Sequence, residues 1–358
     1  MSFLSAIFKR PQTGFHLSLW AVFGEMLVAV FAFGLLLLRP QLEYLLVQAR
    51  GQLKLSFSAM PLKEALQNPA LSLTEKQGLL FGMQVLDFAK SQGLNTKGAY
   101  LTYADSSAEP QMWMLSASKP LAFESYSWSF PFFGGFSYKG FFDLEMALHE
   151  KRKLDALGYD VDLGKASAWS TLGWFPDPIT SSMLKKKPYD FAELLFHELV
   201  HKTVYLNDSV EWNENLAVLC ARQLCLDFLM KMNRKDLHDE YLQSLRAEDS
   251  LLAFASDRQA RLRAFYASDA CSLSGKSILI RQYAQEFLDK EWSRFFPREK
   301  VAAAMLYERN AWFLSHQRYG GGMTELHEQL YHQHHGSVKD FLESLVQHYG
   351  SLLQCLKN

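Results

Sequence analysis

Two histidines four residues apart, His197 and His201, stand in the segment FHELVHKTVYLNDSVEWNENLA at residues 196–217. The residues around them, 189–205, carry apolar side chains at helical spacing and include no glycine or proline, which predicts a helix. Positions i and i+4 of a helix share one face, so both imidazoles can bind the same cation. Glu198, about 100° around the helix axis, is placed to act on a water bound to that cation. This pattern is typical of metal-assisted hydrolysis.

The third ligand is predicted on the next helix. A catalytic zinc ion has three protein ligands and one open position. The turn-forming residues LNDS follow the first helix, and a second helix is predicted from about Ser209 to Met230. If that helix folds back on the first, Glu214 comes to lie opposite the histidine pair. We therefore expect one Zn²⁺ per chain, held by Glu214 together with His197 and His201. Glu198 is then the general base.

The segment HEQLYH at residues 327–332 has the same residue types with a different spacing. Its histidines, His327 and His332, are five residues apart and diverge on a helix. The neighbouring HQHH has two interpretations, a weak metal site and a solvated helix end. The sequence therefore predicts one strong metal site.

Peptide hydrolysis needs further groups around the metal. The tetrahedral oxyanion usually takes a hydrogen bond from a second donor, and His316 and Tyr319, just before a triple glycine, are candidates, with Arg309 behind them. Asn213 and Asp177 are candidates for orienting the metal ligands.

Several blocks of the chain resemble one known family. They are YLLVQARGQLKL, FPFFGGFSYKGFF, LGYDVDLGKASAWSTLGWFPDP and FHELVHKTVYLNDSVEWNENLA. In this order they resemble the bacterial "predicted aminopeptidase" family, a group of gluzincin-type zinc metallopeptidases. The resemblance covers about residues 44–230 and, more faintly, ERNAWFLSHQRY. It implies zinc bound by His197, His201 and Glu214 and a catalytic Glu198, as the spacing also predicts.

The chain departs from the family pattern at two positions. Trp169 stands where the family has tyrosine, and Pro176 adds a proline before Asp-Pro. The chain also has no Gly-x-Met-Glu-Asn segment, which holds the substrate's free amino group in better-known relatives. The sequence thus leaves aminopeptidase and endopeptidase action both open.

A short strand is predicted just before the metal-binding helices, at SAWSTLGW. In zinc peptidases of this class an edge strand near the zinc pairs with the substrate backbone. Trp169, Ser170 and Thr171 are therefore the candidate substrate strand. An ordinary core strand is the alternative interpretation.

Composition limits the remaining possibilities. The chain has 358 residues, 49% of them apolar, which suffices for a substantial core in one or two domains. Its net charge of -1 gives no reason to expect a nucleic-acid partner. Cys220 and Cys225 are predicted to be buried apolar residues, and a bridge between Cys271 and Cys355 stays open.

Residues 15–38 form an apolar stretch long enough to span a bilayer. Lys9 and Arg10 precede it and Arg39 follows it, so the charge count does not decide the orientation. No small-residue cleavage site follows directly, which predicts an uncleaved anchor. The resembled family is exported, which implies a single-pass membrane protein with its catalytic unit on the periplasmic side of the inner membrane.

The expected fold is α+β, a mainly helical zincin-like catalytic domain with a small antiparallel sheet, preceded by one transmembrane helix. Residues 1–14 form a short N-terminal segment, and the domain covers 39–358, mixed α+β to about 231 and helical from 232 to 358. Strands are predicted at AYLTYAD, QMWMLSAS and LAFESYSWSF.

Two functions remain after these arguments. The first is a membrane-anchored zinc peptidase that acts on an unspecified peptide or protein. The second is a membrane-tethered, non-catalytic zinc-binding scaffold or chaperone-like module. A purely structural zinc site would normally be closed and rich in cysteine, which favours the first.

Overall fold

The computed structural model of the chain describes residues 59–105, 113–130, 134–165, 178–207, 209–290, 309–311, 314 and 323–349. The chain divides into two units, Met1–Gln52 and Leu53–Asn358, and all of the described residues belong to the second. The predicted membrane span at residues 15–38 lies outside them. Within the described residues, no helix has the length and apolar character needed to cross a membrane.

The described part of the second unit is mainly helical. The helices are α1 (Leu62–Gln67), α2 (Leu73–Ser91), α3 (Leu144–Ala156), α4 (Pro188–Thr203), α5 (Val210–Lys231), α6 (Lys235–Tyr266), α7 (Leu273–Lys290), α8 (Met323–Glu328) and α9 (Val338–Tyr349). A 3₁₀ turn at Met183–Lys185 precedes α4, and a π-helical segment at Gln329–Gln333 continues α8. The prediction of helices after residue 232 is confirmed for the described residues.

Short strands form small sheets beside these helices. They are β1 (Met60–Pro61), β2 (Thr102–Ala104), β3 (Trp113–Ser118), β4 (Trp128–Phe130), β5 (Gly134–Phe136), β6 (Tyr138–Phe141), β7 (Asp160–Lys165) and β8 (Ile179–Thr180). The sheet orders are β1-β2-β8, β6-β3-β7 and β4-β5. β2 and β8 are parallel, and the other pairs are antiparallel.

The α+β class is confirmed, and the expected small antiparallel sheet is present as β6-β3-β7. Three small sheets occur within the described residues, and one of them contains a parallel pair. Strands of two to six residues show too few alternations for a periodicity argument to locate them all. The strand predicted for LAFESYSWSF, for example, is a strand only at its end, in β4.

Helix α4 is the centre of the main core. It begins with Pro188, whose fixed φ suits the first helical turn and whose missing N–H costs nothing there. Most of its surface is buried, including the side chains of Phe196, Leu199 and Val200, none of which is exposed. A helix covered on so much of its surface holds its remaining side chains in fixed positions, because the core is closely packed around it.

An aromatic cluster joins α4 to its two neighbours. The ring of Phe88 on α2 packs against Phe196 on α4 and Phe228 on α5, with centroids 5.8 and 5.5 Å apart. Phe196 and Phe228 are also in contact, at 6.0 Å. Pairs of this kind add about 0.5–1.5 kcal/mol each beyond the area that they bury. The cluster therefore fixes α2, α4 and α5 relative to one another.

The cysteines of α5 lie in the same core. Cys220 and Cys225 are fully buried free thiols, as predicted, and burial raises the pKa of both. Cys271 is a free and partly exposed thiol, and Cys355 lies outside the described residues.

Candidate metal centre

The metal-binding pattern lies on two helices that run back along each other. His197 and His201 are one turn apart on α4, and Glu214 is in the first turns of α5. The connection between the helices is short, from Val204 to Ser209, so the two helices must pack side by side. The fold thereby brings a residue of the second helix opposite the histidine pair.

The three side chains converge on one point. The Nε2 atoms of His197 and His201 are 3.1 Å apart. Glu214 Oε2 lies 3.3 Å from His197 Nε2, and Glu214 Oε1 lies 3.4 Å from His201 Nε2. Within the described residues this is the one group of three or more His, Cys, Asp or Glu side chains that could hold a metal ion.

This arrangement fits zinc. Zinc binds histidine nitrogen and carboxylate oxygen at about 2.0–2.2 Å in tetrahedral geometry, so its ligand atoms lie about 3.3–3.6 Å from one another. The two distances from Glu214 oxygens to histidine nitrogens, 3.3 and 3.4 Å, fall within this range, and the 3.1 Å between the two Nε2 atoms lies slightly below it. Two imidazoles and one carboxylate, without a thiolate, are a donor set typical of a catalytic zinc ion.

Electrostatics keeps the carboxylate ionised. Burial raises the pKa of Glu214, but hydrogen bonds from His197 and His201 outweigh this effect and lower it to about 2. Burial lowers the pKa of His197, but the hydrogen bond to Glu214 and the negative charges of Glu198 and Glu214 outweigh it and raise the pKa overall. A carboxylate that stays charged beside two imidazoles is suited to hold a cation.

Glu198 lies beside this group without joining it. It follows His197 directly on α4, is partly exposed, and its negative charge acts on the His197 ring. Its carboxylate is not part of the group of three that converges at the candidate metal position. The position next to a ligand, but outside the ligand set, is the one that a general base requires.

Asn213, a candidate for orienting the metal ligands, is hydrogen-bonded to the loop that precedes α5. Its amide oxygen accepts a 2.8 Å hydrogen bond from Leu206 N, and its amide nitrogen donates a 2.7 Å hydrogen bond to Leu206 O. These bonds go to the loop between α4 and α5 and not to a metal ligand. Asn213 thus holds the loop that brings the next residue, Glu214, into position.

Most of the other predicted site residues lie outside the described part of the chain. They are Asp177, Trp169, Ser170, Thr171, His316 and Tyr319. Arg309 is described, and its guanidinium donates a hydrogen bond to the carbonyl of Val161 in β7. This contact anchors Arg309 to the sheet.

Three neighbours of the site were not predicted from the sequence. The ring of Tyr205 packs edge-on against His201, with centroids 6.0 Å apart. Glu193 on α4 and Arg222 on α5 approach each other at 3.8 Å. A signal for them was present, because Glu193, His197, His201 and Tyr205 follow one another at intervals of four residues.

The fold and the site define an α+β protein with a candidate two-histidine, one-glutamate metal centre on a helical hairpin. The chain belongs to the family described as "Putative aminopeptidase", whose sequence model matches residues 43–352. Neither a curated protein nor a solved structure matches the chain significantly.

Proposed function

We propose that the protein is a zinc-dependent peptidase whose centre is formed by His197, His201 and Glu214. The observation that supports this most is the convergence of their donor atoms, 3.1 to 3.4 Å apart, directly beside the carboxylate-bearing Glu198. Membership of the "Putative aminopeptidase" family points to the same reaction class.

The metal ligands and Glu198 have different roles in the proposed hydrolysis of a peptide bond. The two histidines and Glu214 would hold zinc, which when bound lowers the pKa of water and polarises a carbonyl group. Glu198 takes the proton from the attacking water and passes it to the leaving amine nitrogen. The exposed sides of His197 and Glu214, 21% and 26% of the side chain, give a peptide access to this position.

The sequence also predicts that the enzyme is tethered to a bilayer through residues 15–38, with its catalytic unit on the periplasmic side. The tether rests on the apolar stretch, and the periplasmic side rests on the resemblance to an exported family. A non-catalytic zinc-binding scaffold or chaperone-like module is the competing function.

The experiment compares zinc content and peptide hydrolysis in the full-length protein and three variants. Glu198→Gln should keep about one zinc per chain and lose hydrolysis by several orders of magnitude, because it retains the shape of the residue without the base. His197→Ala should lose both zinc and hydrolysis. His332→Ala, at a histidine with 68% of its side chain exposed, should lose neither and serves as the control.

Full zinc content in His197→Ala would contradict the metal assignment. A Glu198→Gln variant that hydrolyses peptides at the wild-type rate would contradict the catalytic one. A wild-type protein that binds zinc but hydrolyses no peptide would favour the scaffold.

A further inference from the structure

Two rows of side chains run along the facing sides of α4 and α5. Each row repeats every four residues, so its members share one side of their helix. The row on α4 is Glu193, His197 and His201, and the row on α5 is Glu214, Val218 and Arg222.

Contacts at both ends show that the rows face each other. At one end Glu214 approaches His197 and His201 at 3.3 and 3.4 Å. At the other end Arg222 Nε lies 3.8 Å from Glu193 Oε1. We call the five polar members of the two rows together the polar seam; they are Glu193, His197, His201, Glu214 and Arg222. Its metal end and its Glu193 end are one helical turn apart on α4.

The Glu193 end of the seam is partly exposed to solvent. The exposed fraction is 26% for the Glu193 side chain and 21% for Arg222, close to the values for the two metal-site residues His197 and Glu214. A ligand can therefore approach Glu193 from solvent.

Arg222 neutralises this end only in part. Its close ion pair, 2.7 Å, is with Glu248 on α6, and its Nε atom is too far from Glu193 for a hydrogen bond. Asp249 lies 3.6 Å from Arg222 on its other side, and Asp190 is one turn before Glu193 on α4. One guanidinium thus faces several carboxylates.

The surroundings of Glu193 disfavour its charge in the absence of a further cation. Burial raises its pKa most, and the charges of Glu248 and Asp190 add to this, while Arg222 and the Tyr241 hydroxyl oppose it only in part. A cation bound at Glu193 would stabilise the ionised form of its carboxyl group and so lower its pKa.

The substrate of an aminopeptidase carries such a cation at a fixed place. Its α-ammonium nitrogen is two bonds from the carbonyl carbon that is attacked. When the carbonyl lies at the metal, the ammonium must therefore lie close beside it. Side chains four residues apart on a helix have Cβ atoms about 5–6 Å apart, so a carboxylate at residue 193 is at a suitable distance from His197.

We propose that Glu193 binds the free α-ammonium group of the substrate and thereby selects peptides by their amino terminus. The proposal rests on the proposed function and refines it from peptidase to aminopeptidase. Glu193 would then bind the substrate's free amino group, as the Gly-x-Met-Glu-Asn segment does in better-known relatives; this sequence lacks that segment. Arg222 is then a positioning residue, bound to Glu248 and beside Glu193.

The test uses full-length, zinc-loaded protein and a panel of fluorogenic aminoacyl amides and quenched peptides, each with a free or an acetylated amino terminus. Wild type should prefer the free amino terminus. Glu193→Gln should lower kcat/KM for the free forms about 10–100-fold, the effect of losing a charged hydrogen-bond partner. It should leave zinc content and the slow hydrolysis of acetylated forms unchanged.

Glu248→Gln is the matched control. Glu248 forms the close ion pair with Arg222, but its side chain is 51% exposed and lies on α6, outside the polar seam. This variant should keep the preference for a free amino terminus. An equal loss in Glu248→Gln and Glu193→Gln would mean that the effect comes from Arg222, and would overturn the proposal.

Other outcomes separate the proposal from the function on which it rests. Equal hydrolysis of free and acetylated substrates by wild type overturns the role of Glu193 while leaving a peptidase. An equal loss on both substrate forms, or a loss of zinc, in Glu193→Gln overturns it as well, because a structural role has that effect. A wild-type protein with zinc but no activity on any substrate overturns both.

Discussion

At the scale of single residues, the position of Glu214 depends on a neighbour that binds no metal. Asn213 is buried, with 1% of its surface exposed, and both ends of its amide are bonded to the backbone of Leu206. These bonds close the connection between α4 and α5.

We therefore expect Asn213→Ala to lower the free energy of unfolding by about 1–3 kcal/mol, since Leu206 loses both partners of its backbone groups. Zinc affinity should fall with it, because Glu214 is no longer held opposite the histidines. Chemical denaturation and zinc titration measure the two effects. Asn207→Ala, at an exposed position in the same loop, is the control and should change neither. An unchanged denaturation midpoint for Asn213→Ala would contradict this role.

At the scale of elements, the helix that carries the histidines is held by close packing against α2. Gly82 of α2 lies where α4 and β8 approach that helix. A Cβ atom at Gly82 would lie 3.0 Å from Ile179 Cδ1 and 3.1 Å from Phe191 Cζ. Both neighbours are buried core side chains, so neither has room to move away.

Gly82→Val should therefore destabilise the protein by about 1–3 kcal/mol through overpacking. The gain in helix propensity over glycine is smaller, below about 0.5 kcal/mol. Thermal or chemical denaturation measures the difference. Gln84→Val, two residues along on the exposed side of α2, carries the same β-branched side chain and should change stability by less than about 1 kcal/mol. A Gly82→Val variant as stable as wild type would show that α2 and α4 are less tightly packed.

At the scale of the whole described unit, a buried polar contact joins the β6-β3-β7 sheet to the C-terminal helices. Lys276 of α7 is 3% exposed and forms an ion pair with Asp160 of β7 while donating a 2.6 Å hydrogen bond to the carbonyl of Pro120. Asn310 is fully buried, and its backbone N–H donates to the same Asp160 carboxylate at 3.1 Å. Tyr266 at the end of α6 completes the contact by donating to the Asn310 amide oxygen at 2.7 Å.

Asp160→Ala should cost about 3–5 kcal/mol of unfolding free energy, because it removes the carboxylate that neutralises the buried Lys276 charge. The double variant Asp160→Asn with Lys276→Met should recover part of this loss, since both charges are then removed. Glu124→Ala is the control, because its ion pair with Lys119 is more than half exposed and should contribute little to stability. A small effect of Asp160→Ala in denaturation would show that this contact does not hold the sheet to the helices.

The sequence alone determined those features that depend on local geometry. A four-residue interval puts His197 and His201 on one face of any α-helix, and an apolar pattern without breakers makes the segment helical. The same reasoning located α5 to within about one residue at each end and the helices after residue 232. It also placed Cys220 and Cys225 in the core.

Only the tertiary structure decided which side chains meet across elements. The packing of Phe88, Phe196 and Phe228 holds α5 close along α4. Because of this packing, Glu214 approaches both histidines and Arg222 faces Glu193. The pairing of the short strands in three sheets, within the described residues, also depends on tertiary packing. So does the contact between Asp160 and Lys276, which are 116 residues apart in the chain. Contacts of this kind follow from how whole surfaces of helices and strands fit together, and a spacing of residues along one element carries no information about the surface opposite it.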